Sequence, residues 1–138
     1  MKILVANIGS TSLKWRLFDF SNSTERLLHT GGFERVTDYH QAIEGCLAEL
    51  KKANAIREES ELTAVGFKTV IAKDVTGCVR LDERVLQAMA DYNGLAPAHN
   101  PPYITSSKRT CSCLQMAAKL SSVGFSTMQT TFSIPVSR

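Results

Sequence analysis

The sequence predicts a single α/β domain, and three observations support that expectation. Its 138 residues suit one hydrophobic core. Apolar residues alternate with period two near the start and recur at helical spacing after Asp38. The order that results is three strands, a helix, a strand, two helices and a last strand. It describes an antiparallel meander extended by parallel strands.

"KILVANI" is an apolar strand, and "LKWRLFDF" alternates Leu13, Trp15 and Leu17 with Lys14 and Arg16. A tight turn between them makes a β-hairpin. "SNST" at 21–24 is the next turn, and "ERLLHTGGFERV" predicts a third strand bent at Gly31–Gly32. Ala42, Ile43, Cys46, Leu47 and Leu50 then recur on one helical face, with Asp38 and Gln41 placed as a capping-box-like start. "TAVGFKTVI" (63–71) predicts the next strand. Asp82 caps a second helix carrying Val85, Leu86, Met89 and Ala90, which stops at Asn93–Gly94. "LAPAHNPPY" is a stiff loop, because three prolines in six residues forbid a regular ladder. A third helix is expected over 107–120 and a last strand over about 123–130.

Composition excludes several function classes. Sixteen Lys and Arg are scattered among thirteen acids, without a basic stripe interleaved with aromatics, so no nucleic-acid partner is expected. No apolar run approaches the roughly 20 residues of a membrane span. "ILVA" is too short for a signal-peptide core, so a cytoplasmic location is the expectation. Cys46 falls on the apolar helical face and Cys78 in a turn, while Cys111 and Cys113 form a lone C-x-C. Zinc would want a matching second pair, so reduced thiols are expected.

The chemistry concentrates in "NIGSTSLK", Asn7 to Lys14. A glycine and hydroxyls in a strand-to-strand turn can aim N–H and O–H donors into one concavity suited to a phosphate oxygen. Lys14 adds a cation, and Asn7 offers a neutral oxygen able to face a metal-bound water. The alternative is a plain hairpin whose Gly and Ser only satisfy turn geometry.

Four blocks together resemble the acetate and butyrate kinases, members of the sugar kinase, Hsp70 and actin superfamily. "ILVANIGSTSLKWRLFDF" is similar to their opening, "AVGFKTVIAKD" (64–74) to their Val-Gly-His-Arg block, "LDERVLQAMADYNGLAPAHNPP" (81–102) to a helix followed by Leu-Ala-Pro-Leu-His-Asn-Pro, and "MQTTFSIP" (128–135) weakly to Phe-Asp-Thr-Ala-Phe-His. The resemblance implies a ribonuclease-H-like, actin-like ATPase α/β domain with a mixed sheet, an N-terminal antiparallel hairpin and flanking helices. It also implies ATP and a short-chain carboxylate as substrates, with Mg²⁺. On this reading Gly9, Ser10, Ser12 and Lys14 face the ATP phosphates and Asn7 lies near Mg²⁺.

Departures from the family pattern carry their own expectations. Lys68 stands where the family has an arginine that contacts carboxylate and phosphoryl group, and it lacks the guanidinium fork. As an alternative, Lys68 is a solvated lysine at a strand end. Val70 matches an apolar wall of the carboxylate pocket, Ala98 a pocket-lining Leu, and His99 the active-site loop. Gln129 stands at the catalytic aspartate, where an amide cannot accept a proton, or else is a strand residue outside the motif. Residues 1–138 are expected to form the N-terminal domain, the chain ending before a second domain with the adenosine pocket. "TSSKRTCSCLQ" fits the family poorly, as a frame error would. Two functions follow: a truncated or degenerate phosphotransferase with little activity alone, or a non-catalytic pseudokinase module. An exposed cleft face implies self-association or a covering partner.

Overall fold

The computed structural model of the chain describes residues 1–21, 24–68, 75, 77–95, 97, 101, 104 and 115–120. β1 (Lys2–Ile8) and β2 (Ser12–Asp19) pair antiparallel, with Leu4 opposite Leu17, Ala6 opposite Trp15 and Ile8 opposite Leu13. Directly opposed residues share a face, so these six side chains form one apolar wall. All six are buried. Each fully buried Leu is worth about 1.5–3 kcal/mol, enough to set the register of the hairpin.

β3 (Arg26–Glu34) adds antiparallel to β2 and completes the meander. Gly31 lies opposite Trp15, and a Cβ there would come within 2.3 Å of the indole ring. The missing side chain is what lets Trp15, only 1% exposed, lie under β3. Phe33 closes the same pocket, its ring centroid 4.9 Å from that of Trp15.

α1 (Tyr39–Lys52) covers this wall over β2 and β3. Asp38 caps it, its carboxylate accepting from the His40 and Gln41 N–H groups at 2.8 and 3.1 Å. Tyr39, Ala42, Cys46 and Leu50 are its buried stripe, and Lys51 and Lys52 end it in favourable alignment with the helix dipole. A single 3₁₀ turn (Glu59–Glu61) leads into β4 (Leu62–Lys68), which runs parallel to β1. The Lys2 ammonium ties the two strands' starts together, bonding the Glu61 carboxylate at 2.6 Å and the Ala55 carbonyl at 2.8 Å. β5 (Gly77–Arg80) precedes α2 (Glu83–Ala90), which Asp82 caps through the Val85 N–H at 2.9 Å. β6 (Gln115–Leu120) inserts between β4 and β5, parallel to β4 and antiparallel to β5. The six-stranded sheet therefore runs β3-β2-β1-β4-β6-β5.

The expected meander, the parallel extension and both capped helices are all present. Four details are corrected. Residues 115–120 are a strand rather than the end of a helix. The outer edge of β4 needs donors and acceptors, and that demand outweighs the local helix preference of "MAAKL". Cys78 consequently lies in a strand, paired with Lys119, instead of in a turn. β3 is continuous through Gly31–Gly32, and the irregularity in its pairing falls at Leu17/Phe18. α2 ends at Ala90, with turns continuing to Leu95. The strand expected over 123–130 lies outside the described residues.

Candidate anion site at the carboxyl ends of the strands

The hairpin turn comprises Gly9 to Ser12, between the last ladder pair, Ile8 and Leu13, and the rest of the domain. The Gly9 N–H donates to the Ser12 carbonyl at 2.7 Å. The Ser12 hydroxyl oxygen occupies space 2.7 Å from where a Cβ on residue 9 would sit, which is why glycine suits that position. Two further bonds pull the turn's carbonyls toward the β3–α1 connection: the Val36 N–H donates to the Thr11 carbonyl at 2.9 Å, and the Tyr39 hydroxyl donates to the Gly9 carbonyl at 2.6 Å. Ser10 and Thr11 are exposed, and among the described residues their N–H groups donate to no backbone carbonyl. The turn thus directs its acceptors inward and leaves donors at the surface.

Beside the turn runs a row of polar residues. Asn7 pairs with Lys14 on β2 and with Lys68 on β4, and Lys68 pairs with Lys119 on β6. Asn7 and Lys14 lie on the sheet face opposite the wall that contains Ile8 and Leu13, because neighbours along a strand alternate. Strands are about 4.8 Å apart, so the backbone positions of Lys14 and Lys68 are separated by about 10 Å across Asn7. Asn7 and Lys68 stand at the carboxyl ends of parallel strands, the edge where open α/β sheets bind ligands. Asn7 and Lys14, both exposed, set an amide and a cation beside the turn's donors, an arrangement that favours an anion there. Lys14 meets one acid: its ammonium is 3.2 Å from the Glu34 carboxylate. Both side chains are more than half exposed, so the pair contributes at most about 1 kcal/mol and yields to a more highly charged anion.

The chain supplies Asn7, Gly9, Ser10, Ser12, Lys14 and Lys68 to this one edge. Val70, Ala98, His99 and Gln129 lie outside the described residues. Glu34, Lys119 and Tyr39 were not foreseen. Glu34 is diagonal to Lys14 once the β2–β3 register is known, Lys119 was hidden in an expected helix, and the Tyr39 contact is set by tertiary packing. Among the described residues no group of three or more His, Cys, Asp or Glu gathers to hold a metal. The exposed Asn7 amide fits a role facing the water shell of a phosphate-bound Mg²⁺, since that ion keeps several waters. Cys46 is no nucleophile: burial, with the Glu49 charge beside it, pushes its thiol up to about 12. No helix among the described residues is long and apolar enough to cross a membrane.

Comparison with known proteins identifies the fold and the family. The Acetokinase family profile matches residues 29–134. The acetate kinase of Clostridium botulinum strain 657 is 35% identical over an alignment covering 75% of this chain and 32% of that protein. The crystal structure of Porphyromonas gingivalis acetate kinase superposes with a TM-score of 0.74 at 22% identity, covering 86% of this chain and 37% of that one. A propionate kinase from Francisella tularensis superposes with a TM-score of 0.63 at 21% identity, covering 86% of this chain and 36% of that one. The chain spans about a third of the length of the curated relatives it matches. The fold is the ribonuclease-H-like, actin-like ATPase α/β domain. The chain belongs to the acetokinase family and corresponds to its N-terminal portion.

Proposed function

We propose that this chain is the phosphate-facing half of an acetate-kinase-type phosphotransferase, which moves the terminal phosphoryl group of ATP to a short-chain carboxylate. Alone, it binds phosphate groups weakly and turns over little. The supporting observation is the cross-strand pair of Lys14 and Asn7 beside a donor-presenting turn. Ser10 and Ser12 with Lys14 take phosphate oxygens, and Asn7 faces the water on Mg²⁺, which when bound neutralises charge on the phosphates. Lys68 meets the carboxylate or the phosphoryl group, His99, Ala98 and Val70 line the pocket, and Gln129 fills the aspartate position.

Phosphoryl transfer relies on positioning and charge stabilisation from both sides of a cleft, and the residues named here supply one side. Lys68 offers a point charge in place of a two-pronged clamp, and Gln129 offers no proton acceptor. Those substitutions, with Glu34 already paired to Lys14, favour a second reading as a non-catalytic module that binds phosphate or a partner over the open cleft face.

The test combines calorimetric titration of pyrophosphate with an acyl phosphate assay on Mg·ATP and acetate, propionate or butyrate. Binding near the millimolar range, about −4 kcal/mol, is expected, lost in Lys14→Ala and accompanied by trace turnover at most. Full turnover by the unmodified chain would overturn the degenerate-half reading. No pyrophosphate binding would overturn the phosphate-facing turn.

A further inference from the structure

The Tyr39 hydroxyl reaches the backbone of the hairpin turn from the start of α1. It donates to the Gly9 carbonyl at 2.6 Å. Burial of the ring is the largest influence on the phenol and raises its pKa, which keeps the hydroxyl protonated and able to donate. Gly9 and Ser12 are already joined by the 2.7 Å bond between N–H and carbonyl. The phenol therefore anchors one member of that linked pair to α1.

Tyr39 is the first residue of α1 and only 9% exposed, so its ring is held by the core and not by the turn. The helix start is independently fixed by the Asp38 cap. A rigid element thus presents a rigid aromatic to a loop of four small residues, which has little packing of its own. Such a loop ordinarily samples many shapes, and fixing each residue costs about 1–2 kcal/mol of conformational entropy. A link that fixes it beforehand removes that cost from ligand binding.

We infer that Tyr39 is a positioning residue for the anion site: its hydroxyl holds the Gly9–Ser12 turn with the Ser10 and Thr11 donors turned outward. This rests on the phosphate-facing reading of the turn. The ligand class is unchanged, a phosphate or polyphosphate, and Tyr39 itself does not touch it.

The test is Tyr39→Phe, which keeps the buried ring and removes one oxygen. Amide hydrogen exchange at Ser12 and calorimetric titration with inorganic pyrophosphate are measured on the 138-residue chain, with Ile56→Val as a control for general loss of core packing. The expected result is Ser12 exchange at least tenfold faster and pyrophosphate affinity about fivefold weaker in Tyr39→Phe, with neither changed in Ile56→Val. Unchanged affinity in Tyr39→Phe, with the unmodified chain binding normally, would overturn the positioning role alone. Equal weakening in Ile56→Val would overturn it too, by assigning the effect to stability. If the unmodified chain binds no pyrophosphate, while Ser12 exchange still responds to Tyr39→Phe, the phosphate-facing reading is what fails, and the positioning role falls with it.

Discussion

The two sides of β1 meet the same candidate site in different condition. On one side, β2 delivers Lys14 and a turn held from three directions, by its own backbone, by Val36 and by Tyr39. On the other, β4 delivers Lys68 at its last residue. The hairpin side is local in sequence and set in register by six buried side chains. The β4 side depends on parallel pairing with β1 and β6, whose partners are distant in the chain. The shape of the turn is therefore independent of the groups on the second side, because different contacts maintain the two.

The comparison breaks most dramatically if acyl phosphate formation responds to the residues proposed as catalytic. In a fusion with the second domain of an acetate kinase, Lys68→Arg with Gln129→Asp is expected to raise acyl phosphate formation by about 10²-fold or more, beyond either single change. The arginine restores a two-point clamp and the aspartate a proton acceptor. Failure of the double variant to gain activity would favour the binding-module reading.

Next in size is a break on the hairpin side. Gly31→Ala drives a methyl into the Trp15 ring and is expected to cost about 3 kcal/mol in a urea melt, the upper range for overpacking. A cost near zero would mean that β3 does not cover Trp15 as described.

How much of this was legible beforehand divides along the same line. Period-two alternation in β2 and the Asp38 and Asp82 caps are local signals, and they located the hairpin and both helices. β6 was missed because its strand state follows from the open edge of β4, which no local pattern in "QMAAKL" encodes. The cation–amide pair of Lys14 and Asn7 follows from hairpin geometry. The alignment of Lys68 with them needed the parallel register, which nonlocal packing decides. Nothing in the sequence context of Tyr39 connects its hydroxyl to Gly9.

Acid provides the mildest probe of how the two sides are joined. The Lys2 ammonium, with the Arg57 N–H, lowers Glu61 from 4.5 to about 2, and the Ser21 hydroxyl and N–H lower Asp19 from 3.8 to about 2. Both folded values lie below the unfolded ones, so both carboxylates favour the fold while ionised. Their contribution is complete above about pH 4.5 and is lost as pH falls toward 2. Melting temperature should decline across that window, and Glu61→Gln should flatten the decline, with Asp19 accounting for what remains. A Glu61→Gln profile parallel to that of the unmodified chain would show that Lys2 and Glu61 do not join β1 to β4 in solution.

The central claim is that the hairpin side alone carries the phosphate site, and amide chemical-shift mapping during a pyrophosphate titration tests it most directly. The account predicts saturable shifts largest at Ser10, Thr11 and Ser12, reduced at least tenfold in apparent affinity by Lys14→Ala and less than threefold by Lys68→Ala. Shifts centred on the end of β4, or a greater loss from Lys68→Ala than from Lys14→Ala, would contradict it.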